Sequence, residues 1–127
     1  MPVVRFADNQ IVIAKNGDVM TLITDPQAMG GNDYVQIVWN LHALTADGDR
    51  IATLALSVQA SNDGQMFYST TLTSSQTSTA NSPVSVGGFV RAAFIRLKYE
   101  LTVGQGTNGA SGYAAFDVHA NIMKSGS

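Results

Sequence analysis

Apolar and polar side chains alternate along much of this chain. From position 35 to 43 every second residue is apolar, and the intervening positions are polar apart from Val38. The same period of two recurs over Ile95–Val103 and over Phe116–Ile122. This is the period of a β-strand with one buried face. The three stretches therefore predict three strands, and they place Trp39 on a buried face as a core anchor rather than a sugar-stacking platform.

Two turn signals that contain glycine separate further strands. A fourth strand pattern, 54–59, leads into Ser61-Asn62-Asp63-Gly64, and Asp47-Gly48-Asp49 separates this strand from the one before it. Both signals place a glycine where a tight turn can require a positive φ. We therefore predict that each of these turns closes a β-hairpin.

The N-terminal part of the chain predicts shorter strands. Val3–Ala7 and Ile11–Ala14 are strand-like, and Asp18–Ile23 has the pattern of a returning strand. Between the last two stretches lies Asn16-Gly17, the strongest short-range hairpin dipeptide. A third hairpin is therefore expected here.

Two stretches lack an apolar face. Ten of the fourteen residues from Ser69 to Ser82 are Ser or Thr, which predicts a strand that ends in a solvated loop over most of Thr73–Ser82. Gly104–Gly112 predicts a second flexible connection. No window shows a convincing helical period. The sequence therefore predicts an all-β fold of about eight strands, an antiparallel two-sheet sandwich that is jelly-roll-like, in a single domain over residues 1–127.

Composition narrows the class of protein. The chain has 127 residues, of which 45% are apolar and 13% are charged, and this is enough apolar surface for one folded core. Because it contains no cysteine, it has neither disulfides nor a thiolate metal site. A net charge of −2, with seven scattered Lys and Arg residues, disfavours a nucleic-acid partner.

Targeting segments are not evident. The first residues lack the basic segment and apolar run of a signal peptide, and no stretch approaches the roughly 20 apolar residues of a membrane span. We therefore expect no membrane partner and no signal peptide.

A small polar cluster is the main candidate for binding chemistry. His119 lies on the polar parity of its strand, with Asp117 and Asn121 two residues to either side, so the three side chains share one exposed face. Such a cluster could bind a metal ion or a sugar, but a solvated outer strand face is the simpler interpretation. The second histidine, His42, does not lie at a sequence spacing from His119 that is typical of metal ligands. We therefore expect neither a metal site nor a cofactor.

Catalytic motifs are weak. Residues 109–112, Gly-Ala-Ser-Gly, only superficially resemble a Gly-x-Ser-x-Gly nucleophile elbow, and no helix pattern follows them. Asp47, Asp49 and Asp63 lack the spacing and distal Glu of a calcium loop, which favours turn-forming roles. The sequence therefore predicts no catalytic residues and a protein that is not an enzyme.

Two aromatic residues, Phe67 and Tyr68, follow the turn at 61–64. A sugar site uses exposed aromatic rings beside amide and carboxylate groups, and Asp63 would be the nearest carboxylate. The candidate ligand or interface residues are therefore Asp63, Phe67, Tyr68, Asp117, His119 and Asn121.

Residues 54–127 carry three runs that resemble a known class of protein: LALSVQASNDGQMFYSTTL, VGGFVRAAFIRLKYELT and AAFDVHANIMKSGS. They resemble the small β-sandwich proteins of tailed-phage structural regions and of particle-decorating or coat proteins. In those proteins a strand, a Ser-Asn-Asp-Gly-type turn and an aromatic residue are followed by a strand with the pattern Arg-aliphatic-Arg/Lys. In this chain the corresponding strand is Ile95-Arg96-Leu97-Lys98. Residues 1–33 lie outside this resemblance.

The resemblance implies a non-enzymatic structural protein of a virion, capsid or tail. Such a protein would be located in the particle and would form a homo-oligomer, bind a shell protein, or do both. A related pattern in discoidin-like carbohydrate-binding modules implies the alternative, a β-sandwich that binds a glycan.

Overall fold

A computed structural model describes residues 3–14, 19–46, 52–77, 84–103 and 112–124. These residues form nine strands and no helix, which confirms the all-β prediction. The strands are β1 (Val3–Ala14), β2 (Val19–Ile23), β3 (Gln27–Ala28), β4 (Tyr34–Ala46), β5 (Ala52–Ser61), β6 (Tyr68–Thr77), β7 (Val84–Phe89), β8 (Phe94–Val103) and β9 (Gly112–Met123). Within the described ranges there is no helix that could cross a membrane.

The strands form two antiparallel sheets. Sheet A has the order β1-β9-β4-β7, and sheet B has the order β2-β8-β5-β6, with the short β3 also paired to β8. If β3 is set aside, the eight long strands pair first with last, second with seventh, third with sixth and fourth with fifth. This is one long antiparallel hairpin folded over into two sheets, the arrangement of a jelly roll. The predicted two-sheet sandwich is therefore confirmed.

The core lies between the sheets and has an aromatic centre. Trp39, Tyr99 and Phe116 are each at most 1% exposed. The ring of Phe116 makes edge contacts with both others, with centroid distances of 6.4 Å to Trp39 and 4.9 Å to Tyr99. Ile37 is buried beside them, while Gln36 and Asn40 lie on the opposite face of β4. The predicted burial is thus confirmed for Val35, Ile37 and Trp39. It is wrong for Ala43, because a register shift after Leu41 moves Ala43 to the outer face and buries Leu44 instead.

Two of the three predicted hairpins are wrong. β1 pairs with β9 and β2 pairs with β8, so the strands on either side of Asn16-Gly17 lie in different sheets. The same holds for β4 and β5 on either side of Asp47-Gly48-Asp49. These two turns themselves lie outside the described residues. The third hairpin, through Asn62-Asp63-Gly64, is confirmed because β5 and β6 are antiparallel neighbours.

Two other strand assignments need correction. Val3–Ala7 and Ile11–Ala14 are parts of one strand, β1, whose register on β9 shifts between Arg5 and Ala7 and again between Ala7 and Gln10. Thr73–Thr77 is not loop, because these residues pair with β5 as part of β6. The remainder of the predicted loop, 78–82, and residues 104–111 of the second connection lie outside the described residues.

Candidate functional surfaces

The turn between β5 and β6 is held by the side chains of Ser61 and Asp63. The buried hydroxyl of Ser61 accepts hydrogen bonds from the amides of Asp63 (3.2 Å) and Gly64 (2.9 Å), and it donates to Asp63 Oδ1 (2.9 Å). The same Oδ1 accepts from the amides of Gln65 (2.8 Å) and Met66 (2.9 Å). Gly64 has a φ of +78°, the conformation in which glycine carries no Cβ penalty.

These hydrogen bonds define what Asp63 does in the fold. The amide of Met66, then that of Gln65 and the hydroxyl of Ser61, hold the pKa of the Asp63 carboxyl below its ordinary value of 3.8, because each of them stabilises the ionised form. One carboxylate oxygen is thereby engaged within the turn itself. Asp63 therefore stabilises the chain reversal, which is the turn-forming role that the sequence predicted for it.

The aromatic residues that follow the turn differ in their surroundings. The guanidinium carbon of Arg96 lies 3.9 Å from the centroid of the Phe67 ring, and Arg96 Nε donates to Gln59 Oε1 at 2.7 Å. One face of Phe67 is therefore covered by a cation held in place by a hydrogen bond. Tyr68, at the start of β6, is 49% exposed.

The predicted polar cluster lies on the outer face of sheet A. Asp117, His119 and Asn121 alternate with the buried residues of β9, so they share one face, and each is half-buried. β9 is an inner strand, and Asn121 lies opposite Gln36 of β4. The shared face is as the sequence predicted, and neighbouring polar side chains extend it across the sheet. Gln36 Nε2, for example, donates to Ser85 Oγ at 3.1 Å.

A β-bulge adds a histidine to this face. Leu41 pairs with Phe116 and Ala43 pairs with Ala115, so His42 is an extra residue in β4. Its Nε2 lies 2.7 Å from Asp117 Oδ2. Among the described residues, no group of three or more His, Cys, Asp or Glu side chains is placed to hold a metal ion.

One end of this face is apolar rather than polar. Two adjacent rows of residues cross β1, β9 and β4 there: Ile13, Tyr113 and Thr45, then Ile11, Ala115 and Ala43. Ile11 is 61% exposed, Ile13 is 59% exposed and Tyr113 is 45% exposed. At the far end of the face Phe89 is also exposed, and it meets the edge of the Tyr34 ring at a centroid distance of 5.2 Å. The outer face of sheet A is thus a polar centre between two apolar ends.

A cleft lies on the side of the sandwich where β1 and β2 are neighbours. It has a volume of about 260 Å³ and is lined by Phe6, Gln10, Leu22, Ile23, Thr24 and Asp25. This volume falls below the range of about 300–1,000 Å³ that is typical of small-molecule pockets. The cleft is therefore better suited to a side chain than to a cofactor.

The structure separates the six candidate residues into two groups. Asp63, Phe67 and Tyr68 lie at the β5–β6 turn of sheet B, and the polar cluster lies on sheet A. Sequence reasoning missed the partners Arg96 and His42, because both contacts depend on strand register. It also missed the exposed Ile11 and Ile13. The signal for them was present, since residues 11–13 are apolar on both parities of their strand.

No protein-family model matches this chain, and no curated protein matches it significantly. The all-β antiparallel sandwich itself is established.

Proposed function

We propose that this protein is a non-enzymatic structural subunit that self-assembles or decorates a particle such as a virion, capsid or tail. The observation that carries the proposal is the exposed apolar end of sheet A, formed by Ile11, Ile13 and Tyr113. The outer face of an antiparallel sheet that meets water is normally polar. Contiguous apolar residues on such a face mark a surface that binds another macromolecule.

The topology supports the proposal by analogy. Double-sheet jelly rolls occur in viral capsid proteins and in lectins, and this chain pairs its eight long strands in the same order. The analogy does not identify a function, because one fold hosts many activities. It fits a particle subunit and a sugar-binding domain equally, so the surfaces must decide between them.

At the β5–β6 turn, the carbohydrate-binding alternative rests on Tyr68, which is half exposed. The other two candidate residues of this turn are already engaged. Arg96 covers one face of the Phe67 ring, and the turn amides bind one carboxylate oxygen of Asp63. The surfaces therefore favour assembly over glycan binding.

Light scattering on the purified chain at tens of micromolar tests the proposal. We expect a defined homo-oligomer, because the exposed apolar residues gain from leaving water. A strictly monomeric protein that bound a glycan array, and lost this binding in Tyr68→Ala but not in Tyr113→Ala, would favour the alternative.

A further inference from the structure

Exposed apolar side chains concentrate on one side of the sandwich. This side is formed by β1 and β2 and is called the β1/β2 side below. Nine large apolar side chains among the described residues are exposed, and five of them lie on these two strands. The five, with exposed fractions from 42% to 61%, are Ile11, Ile13, Val19, Met20 and Ile23. Ile11 and Ile13 lie on the outer face of sheet A, and Val19 and Ile23 lie on the outer face of sheet B, so these residues flank the β1/β2 side from its two faces. Tyr113, a sixth, lies beside Ile13 on β9.

Both strands on this side are sheet edges. Among the described strands, β1 pairs only with β9 and β2 pairs only with β8. An edge strand exposes backbone donors and acceptors and is a natural surface for another chain. Natural edge strands usually carry charged residues that discourage such contacts. Positions 10–14 and 19–24 carry no charged residue, and the charged residues of β1, Arg5 and Asp8, precede this stretch. On the neighbouring β8, Glu100 lies opposite Thr21 and Lys98 lies opposite Ile23, and these two opposite charges pair with each other at 2.7 Å.

We propose that the β1/β2 side binds the same side of a second copy of this chain across a two-fold axis. This inference rests on the proposed function and specifies the surface through which copies associate. In a two-fold interface the same patch is present on both partners and must be complementary to itself. A charged patch would face its own charge, whereas an uncharged apolar patch is self-complementary. The composition of positions 10–14 and 19–24 therefore favours a second copy as the occupant.

The size of this side is sufficient for such a contact. β1 has 12 residues. At about 3.3 Å per residue it is about 40 Å long, and the two sheets lie about 10 Å apart. With the adjoining outer faces that carry Ile13 and Val19, the contact is about 20 Å wide. Its area is then about 800 Å², which matches the roughly 800 Å² per partner of a standard interface. This area includes the part of β1 that carries Arg5 and Asp8, so the uncharged positions 10–14 form the centre of the contact together with β2 and the charged part belongs to its polar rim.

The cleft on this side provides a place for a partner side chain. Phe6, Leu22 and Ile23 form its apolar part, and its volume of about 260 Å³ leaves room for one large side chain. Asp25 also lines the cleft and is exposed, so its carboxylate can remain in water when a partner side chain fills the apolar part. Such an insertion would bury an anchor residue in a pocket, as the strongest contacts of interfaces do.

Charge substitutions on the two edge strands test the inference. Ile13→Lys and Val19→Lys each place a cation on the β1/β2 side, and Tyr68→Lys is the control on the opposite edge of sheet B. We expect sedimentation and light scattering to give a dimer for the unmodified chain and for the control. Each β1/β2 variant should raise the dimer dissociation constant by at least about tenfold, because a buried unpaired charge is costly. Circular dichroism and thermal unfolding check that each variant is folded.

Thiol labelling provides a second measurement that does not disrupt the surface. The chain has no cysteine, so Ile13→Cys introduces a single thiol, and Phe89→Cys is the matched control with a similar exposed fraction. Labelling of Ile13→Cys should slow as protein concentration rises, while labelling of Phe89→Cys should not. A dimer that survives both β1/β2 lysine variants overturns this inference and leaves the proposed assembly intact, whatever the effect of Tyr68→Lys. A chain that stays monomeric at about 100 μM overturns this inference and the self-assembly that the proposed function includes.

Discussion

Individual hydrogen bonds decide what the β5–β6 turn can do. Ser61 and Asp63 together bind four backbone amides, at Asp63, Gly64, Gln65 and Met66. Side-chain oxygens of Ser and Asp commonly satisfy amides two or three residues ahead, and this is why these residue types favour turns. The chain reversal at 61–64 was therefore predictable from its residue types. The stacking of Arg96 on Phe67 was not, because it joins residues that are distant in sequence.

The carboxyl of Asp63 should titrate below its ordinary pKa of 3.8. Because its pKa is lower in the folded than in the unfolded chain, its contribution to stability is complete above about pH 4 and is lost as the pH falls through the folded pKa. Side-chain carbon shifts recorded by NMR between about pH 2 and 6 measure this value. Asp63→Asn, which retains an acceptor oxygen, should remove this part of the acid dependence. A pKa at or above 3.8 would contradict the assigned hydrogen bonds.

The hydroxyl of Tyr99 is buried and has no hydrogen-bond partner among the described residues. Tyr99→Phe should therefore leave the free energy of unfolding at pH 7 unchanged or raise it by up to about 1 kcal/mol, since no hydrogen bond is lost. Burial also raises the pKa of this hydroxyl. The unfolded chain therefore ionises at a lower pH than the folded chain, so the free energy of unfolding is unaffected by this group below the unfolded pKa of about 10 and declines above it. Tyr99→Phe should thus resist alkaline unfolding better than the parent chain.

Urea unfolding at about pH 7 and pH 11 measures both effects. Tyr113→Phe is the control, because the hydroxyl of Tyr113 is on a partly exposed side chain. A loss above about 1 kcal/mol at pH 7 would show that the Tyr99 hydroxyl has a hydrogen-bond partner.

At the scale of strands, local sequence patterns predicted where the strands lie in the chain better than they predicted which strands pair with each other. Alternation identified β4, β8 and β9, because each has one buried face. Asn16-Gly17 favours a tight turn, but the dipeptide contains no information about the sheet that the next strand joins. In the fold the chain moves from sheet A to sheet B between β1 and β2. A hairpin prediction from two residues therefore fails when pairing is long-range.

The edge strand β6 shows a second limit of the same patterns. Its Ser and Thr residues predicted loop from Thr73 onward, because they offer no apolar face. An edge strand with one partner needs few buried side chains, and Leu72 and Gln76 are the two that β6 buries. The shared face of Asp117 and His119 was predictable from parity. The contact of Asp117 with His42 depends on a bulge, and therefore on register that the pattern does not contain.

The contact between β6 and β7 depends on a glycine. A Cβ added at Gly88 would lie 2.6 Å from Leu72 Cδ2, closer than carbon atoms can approach. Gly88→Ala should therefore lower the free energy of unfolding by about 1–3 kcal/mol through overpacking. Combined with Leu72→Ala, it should cost less than the sum of the two single changes, because the added methyl then fits the vacated space. Ser85→Ala, on the same strand, is the exposed control.

Chemical denaturation of the four chains of this double-mutant cycle gives the coupling energy. Strict additivity would mean that Gly88 and Leu72 do not meet, and that the approach of the two strands is set elsewhere.

At the scale of the molecule, the jelly roll leaves two open sides with different chemistry. The β1/β2 side carries most of the exposed apolar residues, and the edge of β6 on the other side is rich in Ser and Thr. The topology pairs β1 with β9 in sheet A and β2 with β8 in sheet B, so each sheet contains a pair of strands that are distant in sequence. Such long-range pairing is associated with slow folding, because the cost of loop closure precedes the gain from contacts.

Assembly through an uncharged apolar surface has a distinct dependence on solution conditions. The mass of the oligomer should change little between about 50 and 500 mM salt, because screening acts mainly on exposed charges. It should also persist in a chelator, and the thermal midpoint should rise with protein concentration, because association stabilises the folded state by mass action. The monomeric Ile13→Lys variant should lose this dependence on concentration. Dissociation in about 500 mM salt would assign the contact to ion pairs, and dissociation in chelator would assign it to a metal. Either outcome would exclude positions 10–14 and 19–24 as the main source of the association, since these positions carry no charge.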